Sequence, residues 1–564
     1  MQNKAISFLI IYILFSTEAF CQRLTLNITG KNEAETQIID SLNYLKTHKD
    51  ILSITTEIGY IQQNIFKKGY IENEVSELLK INDSLFLVEM SLNRKFNSIH
   101  IYYDTTLIER PILNQISKHV FNDYFELSFS EVENALSFIN SKISEEGRPF
   151  SKLQLENVSF KNETTLKAQL NIESSEEKRK INDIIIKGYE KFPRSYLKHY
   201  LKIKTGQVFD LNIIKRKTTQ FNDLRFANQI KSSEVLFSKD STSLYIYLKK
   251  SQSNTFDGFL GFGTNEDTNN IEFDGYLNLN LTNNLNFGES FQLLYKSDEN
   301  DQKTFDINAT LPYLFKTPIG ADFQLRIFKR DSSFTTVNQS AKLHYQINSK
   351  HKIYAGLTSL ESNNLLSTNT ASNISDYKTA YYTLAYQYIK PQALNLLFPI
   401  NSALYIETNF GNRKQTNISQ KQTQFTIDAS KILNLNNKNS FYTRVNGASL
   451  SSDDYLENEL YRFGGINSIR GFEENSLYAS LYGLINTEYR YQVSNSIYIH
   501  TIVDAAYYEN KIVKSKEKLF GYGFGFGIIT KAGLFKFNYA NGKLRNQKFK
   551  LSNSKIHISI TTVL

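Results

Sequence analysis

One cysteine, Cys21, stands in 564 residues, and it falls in a segment that reads as an export signal. Lys4 precedes the apolar run Ala5–Phe15, and Ser16-Thr17-Glu18-Ala19-Phe20-Cys21-Gln22 forms the exit, the layout of a secretory signal peptide over residues 1–22. The run is shorter than the ~20 apolar residues of a spanning helix. Cys21 is a poor lipid-attachment residue, because Phe20 is bulky where such a site wants a small side chain. Beyond Gln22 there is no cysteine for disulfides or metal, so stability has to come from packing and strand pairing. No later stretch reaches 18 apolar residues, so a membrane can be entered after export only as a closed barrel. Tryptophan is absent and there are 7 prolines, against 35 tyrosines and 40 phenylalanines. That balance suits barrel strands with one lipid face and one lumen face, with Tyr and Phe forming the interfacial girdles. HExxH, GxSxG and P-loop signatures are missing and the eight histidines are scattered, so no enzymatic activity, metal or cofactor is expected. The net charge of +9 is spread along the chain, with a local cluster at Lys511–Lys518. An exported chain meets little nucleic acid, which leaves anionic lipid as the counterpart and no nucleic-acid partner.

From Thr255 to Leu564 the pattern has period two. Ile271-Glu272-Phe273-Asp274-Gly275-Tyr276-Leu277-Asn278-Leu279-Asn280-Leu281 sets an apolar face against a mostly polar one. About sixteen such segments of about ten residues recur, the length a tilted barrel strand needs. Short gaps such as Asn348-Ser349-Lys350 alternate with longer ones: Glu361 to Asp376, the region of Tyr461–Phe472, and Asn541 to Ser554. The gap Pro391 to Asn401 breaks that alternation by being long where a tight turn is expected. Residues 23–254 read differently, as a recurring order of strand, helix, helix, strand, strand with a period of roughly 75 residues. Gly69 and Gly147 close the second helix of the first two units. The expected boundaries are a signal peptide at 1–22, α/β units at 23–103, 104–176 and 177–253, and a barrel at 254–564.

Two later strands carry the ionisable residues of interest. In Leu481–Tyr491, Asn486, Glu488 and Arg490 share the face that avoids lipid; in the next strand Tyr498, His500 and Asp504 do the same. Glu488 and Asp504 therefore both point into the lumen. Upstream lies Tyr461-Arg462-Phe463-Gly464-Gly465-Ile466-Asn467-Ser468-Ile469-Arg470-Gly471-Phe472, a glycine-punctuated loop built to hold a shape. An arginine on an inserted loop is the natural partner of two facing carboxylates, because a planar guanidinium bridges both. Phe520-Gly521-Tyr522-Gly523-Phe524-Gly525-Phe526-Gly527 puts aromatics on one face and leaves the other bare.

The loop resembles the GG…RGF motif of the bacterial outer-membrane assembly superfamily of the BamA/TamA type, and the three α/β units look like its POTRA domains. The resemblance implies POTRA-like α+β domains followed by an all-β, sixteen-stranded antiparallel transmembrane barrel, set in the outer membrane with the N-terminal domains in the periplasm. It implies that Gly464, Gly465, Arg470, Gly471 and Phe472 form a loop folded into the lumen, braced by Glu488 and Asp504. The implied function is insertion of outer-membrane proteins or passage of a polypeptide, by strand addition at POTRA edges and at a seam between the first strand (Thr255 to Thr264) and the last (Ile556 to Leu564). Unfolded outer-membrane or secreted polypeptides are the implied clients and outer-membrane lipid the surroundings, with room for a periplasmic or inner-membrane partner protein. Three POTRA-like units favour a TamA-like factor over a two-partner-secretion transporter of the FhaC type, which usually has two; a passive porin or receptor would need none. Leu564 departs from the aromatic terminus common in barrel proteins.

Overall fold

The computed structural model describes residues 23–174, 177–264, 271–297, 302–366, 373–392, 395–416, 418–530, 533–548, 550–551 and 554–563. The expected signal peptide and Leu564 lie outside them. One compact unit runs to Arg179 and includes Val208–Leu211; Lys180–Gln207 and Asn212 onward form a second.

The first unit holds two sheets. In one, Leu24–Thr29 pairs in parallel with Leu85–Ser91 and antiparallel with Thr47–His48. Over it packs the helix Ile51–Lys67, whose Ile54, Ile58, Ile61 and Ile65 recur on one buried face. Asp50 caps its start by accepting from the Ser53 amide. Gly69 follows its end at φ +99°, and a Cβ there would stand 2.1 Å from the Phe96 carbonyl oxygen, so only glycine fits this stop. The second sheet has the order Tyr124–Ser128, Ser98–Tyr102, Thr165–Glu173, Lys152–Phe160. Ser98–Tyr102 was expected to finish the first module at residue 103. It opens the second instead, because its buried Ile99 and Ile101 belong to the core with Leu127, Ile139 and Leu166.

The second unit begins with a third sheet, Asp183–Lys187, Thr242–Lys250 and Ala227–Phe237, carrying the helix Leu211–Thr218 and a π-helical turn at Tyr196–Tyr200. The rest is a closed barrel. Its strands are β1 (Thr255–Thr264), β2 (Ile271–Thr282), β3 (Ser290–Ser297), β4 (Gln302–Leu311), β5 (Ile319–Arg330), β6 (Phe334–Gln346), β7 (His351–Asn364), β8 (Tyr377–Pro391), β9 (Ile400–Lys414), β10 (Ser419–Asn434), β11 (Asn439–Ser451), β12 (Leu481–Ser494), β13 (Ile497–Asn510), β14 (Ser515–Thr530), β15 (Gly533–Leu544) and β16 (Ser554–Val563). All neighbours are antiparallel. Several strands exceed the expected length of about ten, reaching 16 residues in β10 and β14.

Alternation sets the two faces. On β8, Ala380, Tyr382 and Leu384 face outward and exposed, while Tyr377, Thr379, Tyr381 and Thr383 are buried inward. The near end of the barrel is the one that meets the third sheet's unit. There the Tyr196 hydroxyl donates to the Gly288 carbonyl at 3.0 Å, and its ring meets Tyr313 edge-on at 4.8 Å. Tyr189 donates to Asn286 and accepts from Asn283, and His199 bonds the Lys316 carbonyl at 2.8 Å. Burial lifts the Tyr196 hydroxyl above the ordinary phenol range.

Closure is uneven. β1 shares ten residue pairs with β2, and β15 shares eight with β16. Between β1 and β16 the described residues give two, Thr255 with Val563 and Phe256 with Thr562, both at the near end.

Candidate functional site

Between β11 and β12 the chain leaves the wall and turns into the barrel. Tyr461–Phe463 pairs with Leu477–Ala479 as a short hairpin, which narrows the loop's base. Phe463 stacks on Tyr482 of β12 with ring centroids 4.7 Å apart, and with Ile469 it joins Leu484, Ala506 and Leu519 in a small apolar core against the wall. At Gly471 (φ +90°) a Cβ would stand 2.3 Å from the Gly542 amide nitrogen on β15, so two glycines let loop and wall touch backbone to backbone. Gly521 does the same on β14, where a Cβ would stand 2.3 Å from the Arg470 carbonyl oxygen. Within the Phe520–Gly527 alternation Gly521 seats the loop, whereas Gly523, Gly525 and Gly527 give room to Tyr539, Asn538 and Tyr498 of the neighbouring strands; Tyr522 and Phe524 point outward.

This seating delivers Arg470 to its carboxylates. Its Nε donates to Asp504 Oδ2 at 2.8 Å, its Nη2 to Asp504 Oδ1 at 2.6 Å, and its backbone N–H to Asp504 Oδ2 at 3.0 Å. Its Nη1 donates to Glu488 Oε1, whose other oxygen accepts from Arg490 Nε at 2.7 Å. Arg470 is 5% exposed, Asp504 1% and Glu488 8%. Charges so withdrawn from water persist only when each partner is satisfied, and here two cations and two anions alternate. Of the residues singled out from sequence, Arg470 contacts both Glu488 and Asp504. Gly471 and Phe472 lie beside them, with Phe472 against Gly542, while Gly464 and Gly465 form a separate turn near Glu473 and Glu474.

Sequence reasoning missed most of the loop's other attachments. Arg413 on β9, fully buried, donates to Glu459 Oε1 at 2.5 Å, the reverse polarity of the Arg470 contact. Arg330 on β5 donates to Glu457 Oε1 at 2.9 Å, and Arg444 on β11 to the Asn467 carbonyl at 2.7 Å. Asn486 donates to the Ser468 carbonyl at 2.8 Å. Arg462 is held by rings, 4.0 Å from the Phe328 centroid and 4.5 Å from that of Phe334. Inward parity would have flagged Arg413 and Arg330 as lumen residues, but nothing in a single sequence says which loop carboxylate each one meets.

The long near-end gap also turns inward. Leu397 and Phe398 are buried with Tyr498 and Ile432, and Arg490 lies 4.4 Å from the Phe398 ring centroid. Arg490 thereby contacts the segment rising from the near end while bonded to Glu488, the carboxylate that holds the loop from the far end.

A closed sixteen-stranded barrel behind α/β units, with an arginine-bearing loop inside its lumen, defines a transmembrane β-barrel of the outer-membrane class. The Omp85 superfamily domain model matches residues 276–562, just over half the chain, and the POTRA model, described as a surface antigen variable number repeat, matches 179–251. The chain belongs to the Omp85 superfamily. Among solved structures it is similar to CdiB from Escherichia coli, at 14% identity and a TM-score of 0.53, and to CdiB from Acinetobacter baumannii, at 15% and 0.51; each match covers 83% of this chain and 90% of the other. BamA from Haemophilus ducreyi lacking POTRA domains 1–3 aligns at 15% identity and a TM-score of 0.49, over 82% of this chain and 98% of that one. No curated protein matches the chain by sequence.

Proposed function

We propose that this chain works in the outer membrane, with residues 23–253 in the periplasm as three tandem POTRA domains, and that it inserts client polypeptides into that membrane or passes them across it. The observation that carries the reading is the seam. Two residue pairs join β1 to β16 among the described residues, against ten and eight at the flanking joints. Backbone donors and acceptors beside so short a pairing are the groups an incoming strand needs. A client strand pairs first with an exposed edge of a periplasmic sheet and then with β1 or β16, a route that needs no bond-breaking chemistry. Arg470, Glu488 and Asp504 brace the loop, which fills the lumen while the seam works. Three sheet-bearing units favour assembly of outer-membrane proteins over two-partner secretion.

The test places photo-crosslinking residues at Phe256 and at Thr562 in cells and identifies what is captured. The expected result is polypeptide captured from both strands, rich in outer-membrane barrel proteins. Capture of one dedicated secreted partner would assign the chain to two-partner secretion. Capture of nothing but lipid and the chain itself, with ion conductance by the purified protein, would make it a passive pore.

A further inference from the structure

The tip of the lumen loop carries two adjacent carboxylates, and they reach to opposite sides of the seam. Glu473 Oε1 lies 2.9 Å from Lys555 Nζ on β16. Glu474 Oε1 lies 3.3 Å from Lys296 Nζ on β3. β16 borders the seam on one side, while β3 belongs to the other side, beyond β1 and β2. The path Lys555–Glu473–Glu474–Lys296 therefore crosses the seam from within.

The cluster lies at the opposite end of the seam from the two β1–β16 pairs found among the described residues. Thr255 with Val563 and Phe256 with Thr562 close the near end of the seam. Lys555 is the second residue of β16 and Lys296 the last but one of β3, which places both toward the far end. Gly465 makes room for this arrangement: a Cβ there would stand 1.9 Å from Glu474 Oε2. The contacts also differ in kind from the loop's anchor. The side chains of Lys296, Glu474, Lys555 and Glu473 are 33%, 28%, 39% and 56% exposed, whereas that of Arg470 is 7% exposed. Half-exposed pairs are weak, screened by salt and quick to part, while a buried guanidinium between two carboxylates is not.

We propose that Glu473 and Glu474 form an ionic strap across the far end of the seam, holding β16 to the β1–β3 side through the anchored loop and releasing when the seam opens. The strap's purpose rests on the reading of the seam as the clients' entry; its existence does not. The full chain in detergent micelles and in lipid vesicles, native and as the Glu473→Gln/Glu474→Gln double variant, is followed by hydrogen exchange. Backbone amides of β1 and β16 are expected to exchange roughly three- to tenfold faster in the variant, as the loss of two exposed pairs allows, with β8 to β10 unchanged. Raising ionic strength about tenfold should move the native chain toward the variant and leave the variant where it was; this arm needs no substitution. The swap Glu473→Lys with Lys555→Glu should restore slow exchange. Unchanged exchange in β1 and β16, or acceleration spread evenly over all strands, overturns the strap. Client capture at Phe256 and Thr562, measured separately, tests the other reading: fast exchange without capture keeps the strap and removes the clients.

Discussion

Asp504 accepts three hydrogen bonds from Arg470, and one of them comes from the backbone amide. The carboxylate therefore fixes both the side chain and the path of the loop. Arg470→Ala removes the two side-chain bonds to Asp504 and the one to Glu488, and breaking a buried pair of this kind costs about 3–5 kcal/mol. The expected variant assembles as a barrel at reduced level with a protease-sensitive loop. Arg470→Lys should rescue poorly, because a point charge cannot bridge both carboxylates. A double-mutant cycle with Asp504→Asn should show strong coupling; additive losses would mean that the two side chains do not act together.

Arg413 and Glu459 offer an independent check with the charges reversed. Arg413→Met alone leaves Glu459 buried without its cation and should loosen the loop base by about 3 kcal/mol. Arg413→Met with Glu459→Met should recover most of that loss, since two apolar side chains replace two charges. Protease resistance of Ser452–Tyr461 in the single and double variants decides it. A double variant no better than the single would show that Gln420 and Asp454, which also meet Arg413, carry the contact.

Gly288 tests the seating of the third sheet's unit. A Cβ at this position would stand 2.1 Å from Tyr196 Cε2, so Gly288→Ala should expel the ring and break the 3.0 Å bond. Tyr196→Phe should be milder, at about 1 kcal/mol for a lost hydrogen bond. The measurement is proteolysis at Lys249–Asn254, expected to quicken in Gly288→Ala while the barrel stays folded. Equal cleavage in native and variant would mean that the other near-end contacts suffice.

The barrel itself predicts a simple fractionation result. The chain should stay with the outer membrane through carbonate extraction and run faster on gels unheated than boiled, as a closed barrel resists detergent until heated. Release by carbonate would be incompatible with sixteen spanning strands.

Much of this was legible in the chain itself. Alternation is clear over β2 and β12 to β14, although Leu484, Ala506 and Leu519 also face inward under the loop, and parity alone put Glu488 and Asp504 on the inner face, because a one-residue slip would carry both into lipid. What failed was what parity cannot encode. Ser98–Tyr102 follows the first module in sequence, yet its partner Thr165–Glu173 lies some 65 residues further on, and no local pattern names a distant partner. The segment after Pro391 reads as a long turn; that Phe398 rises beneath Arg490 depends on a cavity that only the closed barrel creates. The lysines that meet Glu473 and Glu474 likewise sit on strands at the two ends of the barrel sequence.

The placement of the loop carries a consequence for the order in which the barrel forms. Arg470 bonds to strands that follow it closely, Glu488 at 18 residues and Asp504 at 34. The β1–β16 contact joins opposite ends of the barrel sequence. Short separations close early and long ones late, because each contact first has to overcome the entropy of the chain between its ends. The loop would then be seated on β12 to β15 while the sheet is still an open ribbon, and the remaining strands would curl round it as round a mandrel. A barrel made in that order keeps its last-formed joint as its weakest, so the place where folding ends is the place where reopening begins.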